Sequence, residues 1–147
     1  MRRLAAIRWS RDRGATLVEF AMVVFLLIIV LLSIVEMGRL VLVYTTMANA
    51  ARAGARYAIV HGGDLSSGAS GPAADPAAVI TVVKDFASAG LLNTDNLVVH
   101  VTYPSGLNTA GYPVVVTTSY VYDPLVSYFD SSLSVMLGSE SEGVITF

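Results

Sequence analysis

FAMVVFLLIIVLLSIV, residues 20–35, is the stretch that decides the fold, because its sixteen residues carry no charge. Together with residues 15–19 it spans roughly 30 Å as a helix at about 1.5 Å per residue, which matches the hydrocarbon core of a bilayer. The whole chain of 147 residues is 54% hydrophobic and 14% charged, and this balance excludes a disordered or strongly solvated protein. The stretch therefore predicts one membrane-spanning helix.

Charge is divided unequally along the chain, although the formal net charge is only -2. Residues 1–56 contain eight Arg and three carboxylates, whereas residues 61–147 contain one Lys and eight carboxylates. Five of the Arg precede the apolar stretch, so the positive-inside rule predicts a cytoplasmic N-terminus and an exoplasmic C-terminal part. Because the exported part is acidic, we expect no nucleic-acid partner.

Three interpretations of the apolar stretch compete: a cleaved signal peptide, an uncleaved signal anchor, and a prepilin-type leader that is cut before the stretch. We favour the third, because Gly14 separates an arginine-rich leader, residues 1–14, from the apolar residues, and Glu19 follows five residues later. A carboxylate in hydrocarbon is costly and usually marks a partner or a function. The alternative for Glu19 is simple solvation at the membrane interface near Arg13.

The helix is predicted to continue beyond the membrane, because no proline interrupts residues 15–60. Arg52 and Arg56 lie one turn apart on this distal half, and we expect them to be solvated or paired with a carboxylate of the head or of a partner. An adjacent face packs either against the chain's own head or against other subunits. That face contains Tyr44, Ala48, Ala51, Ala55 and Ile59.

Residues 62–74 are predicted to form a loop, and residues 75–147 an exoplasmic α+β head. Asp75 as N-cap and Gly90 as stop predict a short helix between them. Its apolar stripe contains Val79, Val82, Val83 and Phe86.

Alternating patterns predict strands at residues 97–103, 114–122 and 133–137. Residues 125–129 are ambiguous and resemble one helical turn, and the tail after residue 137 is either an edge strand or disordered. The expected architecture is an antiparallel β-meander with the short helix across one face.

Residues that could perform catalysis are not evident in the sequence. His61 and His100 are isolated, there is no Cys, and no glycine-rich phosphate loop or nucleophile motif occurs. We therefore expect no enzymatic activity, no cofactor and no metal site, with weak calcium binding by the acidic head as a minor alternative.

RGATLVEF, followed by the apolar stretch and then ARAGARYA, gives residues 13–58 a specific order. This order resembles the TadE-like proteins (TadE/TadG/TadF group) of tight-adherence, or Flp, pilus assembly. The resemblance implies a pilin-like head, cleavage between Gly14 and Ala15 by a prepilin peptidase, and Glu19 as the fifth mature residue with a role in assembly.

By the same resemblance, the chain is expected to be a minor pilin or pseudopilin in the bacterial inner membrane, a single-pass protein that is incorporated in the pilus or remains at its base. The implied partners are other pilins or pseudopilins, the inner-membrane assembly platform and membrane lipid. The alternative is a single-span, membrane-anchored exoplasmic binding module that never joins a filament. An anchored enzyme is nearly excluded.

Overall fold

Two units divide the chain by their internal contacts, Met1–Gly38 and Arg39–Phe147. The predicted leader, residues 1–14, and the predicted loop, residues 62–74, lie largely outside the described residues. The computed structural model describes four stretches of chain, which are residues 11–63, 75–90, 92–128 and 133–146.

Secondary structure follows the predicted order of one long helix, one short helix and three strands, which confirms the α+β fold class. Short 3-10 helices at Thr94–Asn96 and Leu125–Tyr128 connect the larger elements. The second of these confirms the helical turn expected near residue 125. The main elements are α1 (Arg11–Val60), α2 (Ala77–Ala89), β1 (Leu97–Thr102), β2 (Pro113–Tyr122) and β3 (Val135–Val144).

In the first unit, α1 exposes nearly all of its apolar side chains. The helix from Gly14 to Val60 is long and apolar enough to cross a membrane. The most apolar 18 residues of this helix are not buried against the rest of the protein. A large, continuous exposed apolar surface marks a site that contacts lipid or another protein. The helix therefore suggests single-pass membrane anchoring.

In the second unit, the three strands form an antiparallel sheet in the order β1-β2-β3, which confirms the predicted meander. Leu97 pairs with Tyr120, and Val114 pairs with Gly143. Leu97 and Tyr103 are buried and Val101 is half-buried, so this row of residues forms the inner face of β1.

The extent of β3 differs from the prediction. Residues 133–137 were expected as a short strand and the tail as an edge strand or disordered, but β3 is one strand of ten residues, Val135–Val144. Its second half contains Gly, Ser and Glu, which have little intrinsic β preference. Pairing with β2 along the full length of both strands supplies the order that the local sequence does not show.

Two details of α2 also differ from the prediction. Pro76, not Asp75, is the N-cap residue, and no side chain caps this end. Phe86 was expected in the apolar stripe but is 44% exposed, and Ala87 is buried in its place. The buried row is Val79, Val83 and Ala87, and this spacing of four residues rotates the stripe away from Phe86. Gly90 ends the helix as predicted.

The core of the second unit lies between the sheet and the two helices. The second half of α1 contributes mostly alanines, so backbones approach closely where larger side chains would separate them. Valines of α2 and β2 fill the opposite side. The buried residues of this core include Met47, Ala50, Ala51, Ala55, Ala58, Val79, Val83, Val114, Val116 and Ile145.

Gly54 is a position at which α1 and α2 lie in close contact. A Cβ added there would overlap the side chain of Val83 and would touch Val116 at 3.5 Å. The branched Val83 side chain is stiff about χ1, so it has little freedom to give way. A glycine is therefore required at this helix position in spite of its poor helix propensity.

We expect Gly54→Ala to destabilise the head by about 1 kcal/mol, because overpacking costs about 1–3 kcal/mol and exceeds the gain in helix propensity of about 1 kcal/mol. Pulse proteolysis in a urea series measures the change on the detergent-solubilised protein.

Gly38→Ala is the matched control, because no described atom lies within 4 Å of a Cβ built on Gly38. It should leave the urea midpoint unchanged or raise it. A Gly54→Ala midpoint equal to that of Gly38→Ala would contradict the proposed close approach.

Candidate processing site and packing surfaces

Gly14 and Ala15, the predicted processing site, lie inside α1 and are both exposed. A Cβ built on Gly14 meets no described atom within 4 Å. Among the described residues, packing within the chain therefore gives no reason for a glycine at this position.

Glu19 is exposed on α1, one turn beyond Ala15, so the two Cα atoms are separated by a rise of roughly 6 Å along the axis. The side chains around it, including Val18, Phe20 and Val23, are apolar and exposed. A carboxylate among lipid-facing side chains is expensive unless it has a partner. The structure thus places Glu19 where a neighbouring cation can reach it from outside the chain.

The predicted packing face of α1 is divided by the structure. Ala51 and Ala55 lie in the core of the chain's own head, whereas Ala48 is half-buried and Tyr44 is 48% exposed. The buried row runs through Met47, Ala50, Ala51, Gly54, Ala55 and Ala58, at spacings of three and four residues. Contact with the head is therefore established for the alanines at 51 and 55, and Tyr44 remains available to a partner.

Arg52 and Arg56 are both exposed and lie one turn apart on α1. Arg52 Nη1 donates a hydrogen bond to Asn49 Oδ1 at 3.1 Å. Within the described part of the chain, neither guanidinium is paired with a carboxylate of the head. The two side chains line an open groove between α1 and α2, here called the arginine groove, which consists of Asn49, Arg52, Ala53, Arg56 and Phe86.

Arg39 makes a contact that the sequence did not reveal. Its guanidinium carbon lies 5.6 Å from the ring centroid of Tyr122, within the range of a cation–π interaction. Tyr122 ends β2 and is buried, so the contact joins the start of this unit's helix to the sheet. Only the folded chain shows it, because 83 positions separate the two residues.

The other end of the same helical segment is joined to the C-terminal residues. Thr146 N donates to Ile59 O at 2.9 Å, and Thr146 Oγ1 donates to the same oxygen at 3.1 Å. His61 stacks on Tyr57 with ring centroids 4.2 Å apart, so the histidine side chain packs against the last turn of α1. The Arg39 contact therefore joins the helix to the end of β2, and the Thr146 hydrogen bonds join it to the residues that follow β3.

Chemically, the described side chains form contact surfaces. No group of three or more His, Cys, Asp or Glu that could hold a metal ion occurs in residues 11–63, 75–90, 92–128 and 133–146. The exposed functional groups include a carboxylate in an apolar helix and a pair of arginines. Such groups bind other molecules through charge and apolar area.

Comparison with known proteins gives one match. Residues 14–56 match the family model described as TadE-like protein. This segment is similar to TadE-like proteins. The match confirms the resemblance seen in the sequence, and it extends from the predicted processing glycine to the second arginine of the groove. No curated protein and no solved structure matches the chain.

The TadE-like match suggests involvement in the Tad pilus system, and the family is not known for enzymatic activity. Residues 57–147 lie outside the match. The sheet, α2 and the arginine groove's Phe86 are therefore described by the structure alone.

Because the chain contains no cysteine, single-cysteine variants test the two faces of α1 directly. We expect Ala51→Cys and Ala55→Cys to react with a maleimide at least about tenfold more slowly than Tyr44→Cys and Arg56→Cys, because a buried thiol is reached only when the head opens.

Labelling in denaturant is the control and should make all four rates equal. Equal rates in the folded, membrane-extracted protein would show that the small-residue face is not covered by the head.

Proposed function

We propose that this chain is a minor pilin or pseudopilin of a tight-adherence pilus, cleaved after Gly14 and acting through subunit contacts. The TadE-like match over residues 14–56 carries the proposal. Two features of the structure support it: the open position of Gly14 and the exposed Glu19 within an apolar helix.

Cleavage after Gly14 would create a cationic α-amine on Ala15. In an assembly of parallel helices, Glu19 of one subunit can meet the α-amine of a neighbour, and the pair neutralises two charges that are costly in hydrocarbon. Before assembly, the exposed apolar residues of α1 face lipid. After assembly, helices of other pilins or pseudopilins cover them.

The proposed membrane arrangement follows from the apolar helix and the arginine-rich leader. A single apolar helix holds the chain in the cytoplasmic membrane, and the arginine-rich leader keeps the N-terminus on the cytoplasmic side. The head then lies outside, where subunits meet. The proposed partners are the prepilin peptidase, other pilins or pseudopilins, the inner-membrane assembly platform and lipid.

We expect Gly14→Ala to block processing, because a peptidase that cuts after glycine excludes a Cβ at that position. The substitution should not disturb the fold, since no described atom lies near the new Cβ. Gly38→Ala is the control, as a second open glycine of the same helix, and should be processed normally. Gel mobility of the membrane fraction with and without active prepilin peptidase measures the outcome, and normal processing of Gly14→Ala would refute the cleavage position.

We expect Glu19→Val to be processed normally but to lower pilus output by about tenfold or more, because the lost charge pair is worth at least about 1.4 kcal/mol in an apolar surrounding. Sheared pili quantified per cell give the measurement. Glu36→Val is the control, since this carboxylate lies beyond the uncharged stretch. Unchanged output from the Glu19 variant would remove its assembly role and favour the anchored binding module.

A further inference from the structure

Opposite charges lie on opposite sides of the head. On β3, Leu137 packs against the core and Gly143 lies against Ile59, so the odd-numbered residues face the helices. Because side chains alternate along a strand, Glu140 and Glu142 point to the other face of the sheet, where both are exposed. Their partners across the sheet are Thr117 and Val115, which carry no charge.

The cationic side is the arginine groove on the helix layer. Arg52 and Arg56 are exposed there, and the hydrogen bond from Arg52 to Asn49 holds one guanidinium in place. Phe86 forms part of the groove with a large exposed ring. A partially exposed aromatic beside two arginines is typical of protein-binding surfaces.

The two arginines are separated along their helix by nearly the same distance, within about 1 Å, as the two glutamates along their strand. Arg52 and Arg56 are four helical residues apart, a rise of roughly 6 Å. Glu140 and Glu142 are two strand residues apart, which is roughly 7 Å. The outer face of β3, laid along the groove, therefore matches each carboxylate to one guanidinium in backbone spacing while β3 stays paired with β2.

One copy cannot make these pairs within itself, because its sheet and core lie between the two surfaces. We propose that the arginine groove of one copy binds Glu140 and Glu142 of a second copy. The two surfaces differ, so the contact is heterologous and leaves one free groove and one free sheet face at the ends. Such a contact can repeat along a row of subunits, which suits the filament-related role on which this inference rests.

Exposed ion pairs are weak, so this contact needs the membrane. Two pairs of this kind change an association constant by about fivefold, and anchoring in one membrane supplies the high effective concentration that makes weak contacts populated. The acidic heads repel one another at long range, but physiological salt screens charges beyond about 8 Å. At contact distance the complementary pairs dominate.

Crosslinking between two differently tagged copies in the membrane tests the contact. One copy carries Ala53→Cys in the groove and the other carries Gly138→Cys on the outer face of β3, so all four charged residues remain. A short bismaleimide should link the two copies. Asp85→Cys replaces Gly138→Cys in the control, because it is exposed on α2, away from the sheet, and should give at least about fivefold less product.

Charge reversal separates the ion pairs from mere proximity. R52E/R56E in both copies, or E140R/E142R in both copies, should lower the crosslinked fraction by about fivefold or more. A chain with all four reversals should regain it, which also shows that the reversed surfaces fold. Equal crosslinking in all variants, no product above the Asp85→Cys control, or products only with a different protein would each overturn the proposal.

Leader cleavage read in the same samples distinguishes this contact from the proposed function. A cleaved chain that fails to crosslink overturns only the contact between copies. A crosslinked chain that still begins at Met1 supports the contact and overturns only pilin-type processing.

Discussion

The close packing of α1 on its own sheet and on α2 is the contact on which the head depends. Alanines at 50, 51, 55 and 58 and the glycine at 54 leave room for the valines of α2 and β2. A three-stranded sheet with one short helix buries little apolar surface by itself, and small domains are marginal for this reason. The second half of the same apolar helix supplies one wall of this core.

This packing decides which surfaces remain for partners. Because the small-residue face is covered by the head, the surfaces open to a partner among the described residues include the exposed residues of the helix and the outer face of the sheet. Tyr44, Arg52 and Arg56 belong to the first group, and Glu140 and Glu142 to the second. Under the proposed function, subunit contacts in the head would depend on charge and aromatic side chains, whereas contacts of the apolar helix would depend on Glu19 and shape.

Much of the fold was predictable because its signals are local. The uncharged stretch, the alternation in β1 and β2, and Gly90 at the end of α2 each act within a few residues. The length of β3 was not predictable, since a segment of Gly, Ser and Glu becomes a strand only when β2 pairs with it. The exposure of Phe86 had the same origin, because two nearby faces of α2 were both apolar and only tertiary packing selected between them.

The candidate processing residues were predictable from the sequence, whereas the arginine groove was not. Gly14 and Glu19 are defined by their spacing to the apolar stretch, which sequence shows directly. The arginine groove includes Phe86, which comes from another helix. Glu140 and Glu142 lie on the outer face of the sheet only because β3 pairs with β2. Both surfaces therefore depend on tertiary structure.

The N-terminal residue of the wild-type protein tests pilin-type processing most directly. Intact mass and N-terminal peptide analysis of protein extracted from membranes of cells with active prepilin peptidase should give a chain that begins at Ala15. A chain that begins at Met1 in those cells would contradict the proposed function.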